Sequence, residues 1–437
     1  MIKALRGAKD ILSDEIDLWK YIEDNGRDIF NIYGYKEIRT PIIEEASLFI
    51  RGIGGATDIV QKEMYIFPDK GGRSIALRPE ATASIVRAYI ENSLFQSGGA
   101  VKLFYIGPMF RSERPQNGRQ RQFYQIGVEA IGSDNPLVDA EVIALAARFL
   151  ERINVKDFYI RLNSLGCNKD KAMSMERHKE YFRPHLDKLC EVCRARFDKN
   201  ALRILDCKEE SCRAVAENVT VEKTLCGECS AHFEKVTAGL DSIGIKYLID
   251  SKIVRGLDYY TGTVFEIAQQ GLGAKDAICA GGRYNNLVKE LGGKDTPAVG
   301  FAFGMERIAL VLQKTVAAKK ERMRLSVFVA VTGESLSRES FQLLEEMRRS
   351  GILAEADYDL KSLKAQMRKA EKLGAKFAVI IGDEEFKSNK VIFKDMDKHS
   401  QEEVPLNEVV EKLTKILGAG NLGLKPGDFR EGLKSGI

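Results

Sequence analysis

The chain has 437 residues, of which 44% are hydrophobic and 30% are charged. These values are ordinary for a folded globular protein and exclude a disordered, fibrous or collagen-like one, and the length exceeds what one hydrophobic core usually supports, so we expect two or three domains. The formal net charge is only +4, so any contact with a nucleic acid has to rest on local basic patches.

The first part of the chain predicts a helix followed by antiparallel strands. Apolar residues at a helical period predict a helix over 14–33. Pro41 interrupts the β-prone run that follows, which places that run at a sheet edge or a strand end. Two strand-like runs, 101–112 and 122–131, flank a segment with an Asn-Gly turn signal, so we expect a hairpin with a long tip.

The composition changes twice further along the chain. From about 165 to 245 it shifts to Lys, Glu and Cys, which indicates a helical insertion. Strand-like, glycine-rich segments return after it and end in a polar run at 314–324, which we interpret as a linker. Alternating β and α patterns beyond the linker predict a small α/β domain with parallel strands, and the glycine-rich end predicts a frayed tail.

Several kinds of protein are excluded by what the sequence lacks. No run approaches the roughly 20 apolar residues of a membrane-spanning helix, and the start has no secretion signal, so we expect a cytoplasmic protein with no membrane partner. A P-loop and a complete Rossmann fingerprint are also missing. A His-based triad or zinc hydrolase is not expected, because all four histidines lie outside the candidate sites: His178, His185, His232 and His399.

The second strand of the predicted hairpin offers one face to a ligand. Alternation puts Phe123, Gln125, Gly127 and Glu129 on that face and mainly apolar residues on the other. A carboxylate and an amide beside a glycine leave room for a ligand that carries an ammonium or N–H group. The alternative is the solvated face of an ordinary antiparallel sheet.

Arginines stand out on the first strand and in the hairpin tip. Arg111 shares a face with Glu113, and an arginine on the inner face of a sheet suits a phosphate or carboxylate. The connecting loop adds Arg114, Arg119 and Arg121 without an acid, and such a cationic tip attracts a polyanion. The alternative for the tip is an ordinary soluble loop.

Two further arginines follow glycine-rich segments. Arg255 opens the run RGLDYYTG, and Arg307 lies just after Gly304, where a predicted strand passes into a helix. The N-terminus of a helix favours anions, and an arginine in the first turn adds to that preference. The alternative for Arg307 is a surface position on an amphipathic helix.

A basic helix is predicted in the C-terminal domain. Within 361–376 it carries one acid, Glu371, and six basic residues: Lys361, Lys364, Arg368, Lys369, Lys372 and Lys376. Their stripe suits a nucleic-acid backbone, although a solvated helix face is an equally ordinary explanation.

Seven of the eight cysteines lie between Cys167 and Cys229, which indicates reduced thiols or a metal rather than disulfides. Two CxxC pairs suggest one structural Zn²⁺ held by four thiolates: Cys190, Cys193, Cys226 and Cys229. The alternative is a set of small core cysteines in a helical insertion.

Several runs in order resemble one known family. They are RGAKDIL, LRPEATA, IGPMFRSERPQNGRQRQFYQIGVEAIG, RGLDYYTGTVFEI, AGGRYNNLVKELGG and AVGFAFGMERIALVL. Together they resemble histidyl-tRNA synthetases, which are class II aminoacyl-tRNA synthetases, over nearly the whole chain. The resemblance implies an α+β fold: a six-stranded antiparallel class II sheet with flanking helices, a helical insertion and a C-terminal α/β anticodon-binding domain.

The resemblance also implies domain boundaries and partners. The catalytic domain would span 1–323, with the insertion at about 165–245, followed by the anticodon-binding domain at 324–418 and a flexible tail at 419–437. The chain would form a homodimer through the stretch around Pro41, and it would act on L-histidine, ATP and tRNA(His).

Site residues transfer by resemblance, position by position. Histidine would be bound by Glu80, Thr82, Gln125, Glu129, Tyr260 and Tyr284. ATP would be bound by Arg111, Glu113, Phe123 and Arg307. Arg111, Arg255 and Arg307 would be catalytic by stabilising phosphate charge. Arg114 and Gln116 would contact the acceptor end of the tRNA, and Lys364 and Arg368 on the basic helix would also contact the tRNA.

The implied reaction needs no histidine in the protein. The substrate carboxylate would attack the α-phosphorus of ATP and release pyrophosphate, and the terminal ribose of the tRNA would then attack the adenylate. Positioning and charge neutralisation carry the first step, with Mg²⁺ on the ATP phosphates.

Two alternatives share parts of this pattern. A regulatory subunit of ATP phosphoribosyltransferase would bind histidine without charging tRNA, but such subunits generally lack the anticodon domain and the arginine of RGLDYY. A class II synthetase for proline or threonine would keep the hairpin and the anticodon domain but not RGLDYY or GGRY.

Overall fold

The computed structural model describes residues 2–55, 57–115, 118–207, 209–217, 219, 225–253, 256–272, 277–316 and 325–417. The chain divides into two compact units, Met1–Ala318 and Lys319–Ile437. Gln116, Arg255 and the tail predicted at 419–437 lie outside the described residues.

The first unit is organised around an eight-stranded sheet in the order β1-β5-β6-β11-β10-β9-β7-β8. Its strands, together with the small sheet β2-β4-β3, are β1 Lys36–Glu37, β2 Ile43–Glu45, β3 Ile66–Pro68, β4 Ser74–Leu77, β5 Val101–Phe110, β6 Gln122–Ile131, β7 Phe158–Ser164, β8 Leu248–Ile249, β9 Thr261–Gln269, β10 Ala277–Arg283 and β11 Ala298–Gly304. The six strands from β5 to β7 in this order pair antiparallel, while β1 and β8 add parallel edges. The six-stranded antiparallel class II sheet is therefore confirmed.

Helices cover the sheet and fill the insertion. In the first unit they are α1 Ser13–Ile32, α2 Ala46–Ile53, α3 Thr82–Glu91, α4 Pro136–Arg152, α5 Asn168–Phe182, α6 Glu191–Asn200, α7 Glu210–Glu217, α8 Gly227–Ser242, α9 Leu287–Glu290 and α10 Met305–Val316. Helices α5 to α8 lie between β7 and β8, in the part of the chain with the Lys, Glu and Cys composition. Short 3-10 turns, Arg183–Lys188 and Ala201–Asp206, join them.

Side chains of the β5–β6 hairpin alternate between the two faces of the sheet, and one of these faces packs into the hydrophobic core. Ile126 and Val128 are fully buried in the largest hydrophobic cluster, which also contains Phe30 of α1 and Phe149 of α4. The two phenylalanine rings lie 5.6 Å apart between centroids. Because α1 and α4 cover this face, the opposite face of β6 is left to form the candidate site.

The second unit contains a five-stranded sheet in the order β13-β12-β14-β15-β16. Its elements are β12 Val327–Val331, α11 Ser337–Arg349, β13 Ala354–Ala356, α12 Leu363–Lys372, β14 Phe377–Ile381, α13 Asp383–Lys387, β15 Lys390–Asp395, β16 Ser400–Pro405 and α14 Val409–Leu417. Strands β13, β12 and β14 are parallel, as predicted, but β15 and β16 are antiparallel. The predicted parallel strands are therefore present, but the sequence analysis did not anticipate the antiparallel strands that follow them. The short turn after Asp395 joins β15 to β16 as a hairpin and leaves no room for a helical crossover.

Among the described residues, no helix is long and apolar enough to cross a membrane.

A buried ion pair ties α4 to the end of β10. The Asp139 side chain is fully buried, the Nε–H of Arg283 donates to its Oδ1 at 2.9 Å, and Nη2 of Arg283 lies 2.6 Å from the same oxygen in an ion pair. Thr263 donates to the second carboxylate oxygen at 2.9 Å, and His232 contacts the same oxygen at 2.7 Å. Every strong partner of this carboxylate thus comes from a distant part of the chain.

We predict that Asp139→Asn lowers the free energy of unfolding of the first unit by about 3–5 kcal/mol, because it leaves the Arg283 charge buried without its partner. The fluorescence of Trp19 during urea unfolding measures this, since Trp19 is the one tryptophan of the chain and is buried in this unit.

Asp295→Asn is the matched control. Asp295 pairs with Lys289 at 3.1 Å, but the two side chains are 71% and 65% exposed, so the loss should stay below about 1 kcal/mol. Equal losses in both variants would contradict the structural role of the buried pair.

Candidate active site

Ten of the predicted site residues line one cavity of about 290 Å³ in the first unit. They come from the start of α3 and just before it, from β6, from the start of α10 and from the segments after β5, before β9 and after β10. These residues are Glu80, Thr82, Arg111, Glu113, Phe123, Gln125, Glu129, Tyr260, Tyr284 and Arg307. The structure therefore brings these residues together, while their individual roles stay predictions.

One end of the cavity is formed around the carboxyl group of Glu129. Thr82 donates to one of its oxygens at 2.7 Å and Tyr284 to the other at 2.5 Å. Glu129 lies opposite Gly300 on β11, and a Cβ at Gly300 would come within 1.9 Å of the Glu129 carboxylate. The glycine is therefore required for the carboxyl group to occupy this position.

Burial determines the protonation state of the carboxyl and phenol groups at this end of the cavity. Glu129 is fully buried, and desolvation raises its pKa to about 8 although the hydrogen bonds from Tyr284 and Thr82 act in the opposite direction. Burial also raises the pKa of the Tyr284 and Tyr105 phenols, and the neighbouring Glu129 charge adds to the effect. Near neutral pH the site thus offers a mostly protonated carboxyl group and neutral phenols.

Glu80 and Gln125 complete this end. The two carboxylate oxygens of Glu80 accept from the backbone N–H groups of Thr82, at 2.7 Å, and Ala83, at 2.9 Å, in the first turn of α3. The side-chain oxygen of Gln125 is buried and has no hydrogen-bond partner among the described residues. A buried acceptor without a donor is costly, so this oxygen favours a ligand that supplies an N–H group.

The other end of the cavity is cationic. The Arg111 Nε–H donates to the backbone oxygen of Pro79 at 2.9 Å, which orients the guanidinium group 5.2 Å from the centre of the Phe123 ring. Arg307 donates to the backbone oxygens of Gly118, at 3.4 Å, and Ala277. Two guanidinium groups that line one cavity suit a polyphosphate.

The hairpin tip differs from the acid-free cationic loop of the sequence interpretation. Arg119 donates to the side chain of Glu113 at 2.9 Å, and Arg121 donates to the Glu113 backbone oxygen at 3.4 Å. The acid that partly neutralises the tip lies after the end of β5 and just before the first arginine of the predicted loop. Arg114 is exposed, and Gln116 lies outside the described residues.

Two tyrosines and one arginine near the site were not among the residues predicted to bind a ligand. Tyr105 and Tyr259 are buried and line the Glu129 end, and Tyr259 lies 5.6 Å from the Tyr284 ring. The strand alternation that places Arg111 on the inner face of the sheet also places Tyr105 there, although no ligand role was predicted for Tyr105. Arg78 is buried and donates to the backbone oxygens of Pro108 and Thr40, but no local pattern marks it.

The room expected beside the glycine of β6 is filled by the protein itself. A Cβ at Gly127 would lie 2.6 Å from the Tyr105 hydroxyl and 2.4 Å from the backbone oxygen of Phe301. The glycine is needed for packing of the sheet, and the ligand space lies nearer Gln125.

The prediction of one zinc site from the two CxxC pairs was wrong. Their thiols belong to two separate clusters, which we name the inner cluster, Cys190, Cys193, Cys207 and Cys212, and the outer cluster, Cys167, Asp170, Cys226 and Cys229. Each CxxC pair lies at the start of its own helix, α6 or α8, and meets partners that are not in a CxxC spacing. Local spacing therefore identified the ligand pairs but not how they combine.

The basic helix α12 belongs to the second unit. Lys364 and Arg368 are exposed, while Lys369 pairs with Asp357 at 2.8 Å. Gln366 on the opposite side is buried and exchanges hydrogen bonds with the backbone of Val331. The predicted separation of a core face and a basic face is present.

Family models and curated relatives match this chain over most of its length. A family model described as histidyl-tRNA synthetase matches residues 7–308, and one described as an anticodon binding domain matches residues 326–416. The chain is 49% identical to a histidine–tRNA ligase of Desulforamulus reducens, over 93% of this chain and 97% of the relative. It is 49% identical to that of Halothermothrix orenii, over 95% of this chain and 100% of the relative.

A solved structure is also similar to this chain. The crystal structure of apo histidyl-tRNA synthetase from S. aureus matches with a TM-score of 0.79 and 37% sequence identity, over 94% of this chain and 100% of that chain.

The raised pKa of Glu129 gives a prediction for stability. A folded-state pKa of about 8, above the ordinary value of 4.5, contributes stability that is present below pH 4.5 and is lost as the pH rises toward 8. Glu129→Gln removes the titration, so at about pH 8 the variant should unfold with a free energy higher than wild type by on the order of 2 kcal/mol.

Trp19 fluorescence during urea unfolding, at about pH 5 and about pH 8, measures this difference. It should shrink at the lower pH, and Glu176→Gln, which changes a glutamate 66% exposed, should show no such pH dependence. A Glu129 variant less stable than wild type at both pH values would refute the assignment of a destabilising buried carboxylate.

Proposed function

The chain belongs to the histidyl-tRNA synthetase family, and we propose that the cavity described above activates L-histidine with ATP and charges tRNA(His) through the residues that line it. As a member of this family the chain is an ATP-dependent aminoacyl-tRNA synthetase, a ligase that joins histidine to tRNA. One observation carries the proposal: a single cavity has a buried carboxyl group with phenols at one end and two arginines at the other.

Histidine fits the first end by its chemistry. The imidazole would meet Glu129, Tyr260 and Tyr284, which offer both donors and acceptors. The α-ammonium group would donate to Gln125, whose buried oxygen has no partner in the described part of the chain, and to Glu80. Thr82 would stay between Glu80 and Glu129 and keep the two carboxyl groups in place.

ATP fits the cationic end. Phe123 would stack on adenine, Glu113 would accept from the adenine amino group after exchanging its bond with Arg119, and Arg307 would bind the γ-phosphate. Arg111, oriented by Pro79, would contact both the histidine carboxylate and the α-phosphate. Arg255 lies outside the described residues, but Gly256, the next residue, lines the cavity, which supports a role for Arg255 at the α-phosphate.

The reaction follows from charge and position. The histidine carboxylate is already ionised and attacks the α-phosphorus, and the bond to pyrophosphate breaks, so the protein needs no general base for this step. The arginines stabilise the negative charge that develops on the phosphate oxygens. A ribose hydroxyl of the terminal adenosine of the tRNA then attacks the carbonyl carbon of the adenylate, the bond from that carbon to the phosphate oxygen breaks, and AMP leaves with its phosphate accepting the hydroxyl proton.

The family implies ATP together with Mg²⁺, which neutralises phosphate charge when it is bound. We propose Glu306 as the residue that holds it. The Glu306 carboxyl group lines the cavity beside Arg307 and accepts from the backbone N–H of Tyr124 at 2.9 Å, and burial raises its pKa to about 7. A nearby cation would favour its ionised form.

The remaining parts of the proposal concern boundaries, location and assembly. A boundary near 323–324 is supported by the gap between the two family-model matches, 7–308 and 326–416. A cytoplasmic location follows from the tRNA substrate. A homodimer is supported by apolar side chains of the small sheet and the residue before it, which are 40–48% exposed: Ile42, Ile43, Ile66 and Phe67.

The anticodon-binding family match also weighs against the main alternative. A regulatory subunit of ATP phosphoribosyltransferase would have no use for such a domain, whereas this chain matches it over 326–416.

Amino-acid-dependent exchange of pyrophosphate into ATP, measured with each of the twenty amino acids, tests the proposed function. Only histidine should support exchange. Exchange with another amino acid, or with none, would overturn the proposal.

Two variants test the proposed hydrogen bond between the side-chain oxygen of Gln125 and the α-ammonium group of histidine. Gln125→Ala should raise the KM for histidine about 10-fold or more, because the α-ammonium group loses a charge-assisted hydrogen bond, while the KM for ATP stays within about twofold. Gln122→Ala is the matched control, since Gln122 lies on the opposite face of the same strand. An unchanged KM for histidine in the Gln125 variant would exclude this contact.

The basic face of α12 gives a test for tRNA. Lys364→Glu combined with Arg368→Glu should weaken tRNA(His) binding by at least about 10-fold, because two phosphate-attracting charges are reversed, without changing pyrophosphate exchange. Lys387→Glu combined with Lys398→Glu reverses two other exposed charges of the same unit and serves as the control. Equal tRNA affinity in both double variants would remove α12 from the proposed surface.

A further inference from the structure

The helical insertion contains two groups of metal-ligating side chains that the proposed reaction does not use. These are the inner cluster, Cys190, Cys193, Cys207 and Cys212, and the outer cluster, Cys167, Asp170, Cys226 and Cys229. In each cluster all four ligand atoms lie within 4.8 Å of one another. We propose that each cluster binds one Zn²⁺, so that the chain carries two structural zinc ions at nested positions of the insertion.

The inner cluster has the dimensions of a tetrahedral zinc site. With a Zn–S distance of 2.3 Å, two sulfurs of a tetrahedron lie about 3.8 Å apart. The sulfurs of Cys190 and Cys207 are 3.9 Å apart. A disulfide would join sulfurs at about 2.05 Å and engage only two of the four, and a multi-iron cluster would spread the sulfurs over several metal atoms. The geometry therefore favours a single ion.

The backbone of the inner cluster supports thiolates. The N–H of Cys190 donates to the sulfur of Cys212 at 3.1 Å, and the N–H of Cys193 donates to the sulfur of Cys190 at 3.4 Å. Cys190 also caps the N-terminus of α6, where a negative charge is stabilised. Donors aimed at sulfur are expected where the sulfur carries a charge, as it does when it binds a metal.

The outer cluster reaches the same arrangement with one carboxylate. Cys167 occupies the N-cap position of α5 and Cys226 that of α8, so two helix N-termini meet there. Asp170 is only 2% exposed, and its two oxygens accept from the N–H groups of Cys226, at 3.1 Å, and Cys167, at 3.2 Å. Each carboxylate oxygen keeps a second lone pair, so three sulfurs and one oxygen can complete a zinc coordination shell.

The order of the ligands along the chain makes the two sites nested. The outer cluster joins the beginning and the end of the insertion, and the inner cluster joins two segments between them. The insertion has only a small hydrophobic core of its own, around Phe182, Phe197 and Ile204. Small cores commonly need a metal or another cross-link, and two ions would supply that stability here.

The sites also bear on histidine recognition, and this part of the inference rests on the proposed function. Lys171, next to Asp170, donates to the backbone oxygens of Asp258, at 3.1 Å, and Tyr260, at 2.9 Å. Arg203, between the two parts of the inner cluster, donates to the backbone oxygen of Gly256 at 2.5 Å. Loss of either ion should therefore disturb the segment that carries Tyr260.

Metal analysis of the full-length wild-type protein, purified without chelators, is the primary test. We expect about two zinc ions per chain by mass spectrometry of the metal content, and one or none would overturn the proposal. The wild type, loaded with Co²⁺ in place of zinc, should show the visible bands of tetrahedral cobalt and thiolate-to-metal charge transfer. A spectrum of octahedral cobalt without charge transfer would also overturn it.

Variants assign the ions to the clusters. Cys207→Ser and Cys229→Ser should each lower the content from two ions to one, whereas Cys279→Ala, which changes the cysteine outside both clusters, should retain two. Two ions remaining in either serine variant would contradict the assignment. In Cys229→Ser the KM for histidine should rise several-fold. Because metal content is measured without substrates, failure of histidine-dependent exchange would sink the proposed function and leave this result standing.

Discussion

The chemistry of the candidate site depends on one carboxyl group, that of Glu129, being kept away from water. The register of the antiparallel sheet sets Glu129 opposite Gly300, the only kind of residue that leaves space for the carboxylate there. Hydrogen bonds from Thr82 and Tyr284 reduce the cost of desolvation but do not remove it, since the pKa of the group stays raised. Near neutral pH the group is therefore mostly protonated, so that it can donate a hydrogen bond to a ligand as well as accept one.

The surrounding structure holds the partners of this carboxyl group in place. Tyr284 directly follows Arg283, whose guanidinium group is fixed to the buried Asp139 of α4. Thr82 lies in the first turn of α3, whose N-terminal N–H groups are satisfied by Glu80. Each donor to Glu129 is thus anchored by a second buried charge, so the hydrogen bonds have little freedom to reorient.

Local patterns in the sequence were enough to predict the hairpin and its two faces, because strand alternation alone separates Ile126 and Val128 from Gln125 and Glu129. They were not enough to predict contacts between distant segments. Asp139 lies in the first turn of α4, where an acidic residue is ordinary, and nothing near it in the sequence points to Arg283. The cysteines show the same limit: CxxC spacing marks a pair at a helix start, but only the packing of α5 to α8 decides which pairs share a cluster.

The position of the insertion explains why it bears on the site at all. The segment 256–260 follows the insertion and β8, enters β9 and has no regular secondary structure, yet it carries Tyr259 and Tyr260 into the cavity. A segment without its own hydrogen-bond ladder needs donors from elsewhere, and Lys171 and Arg203 provide them to its backbone oxygens. Both donors belong to the insertion, so the order of the insertion and the order of the tyrosines are energetically coupled. The insertion is therefore part of the support of the cavity.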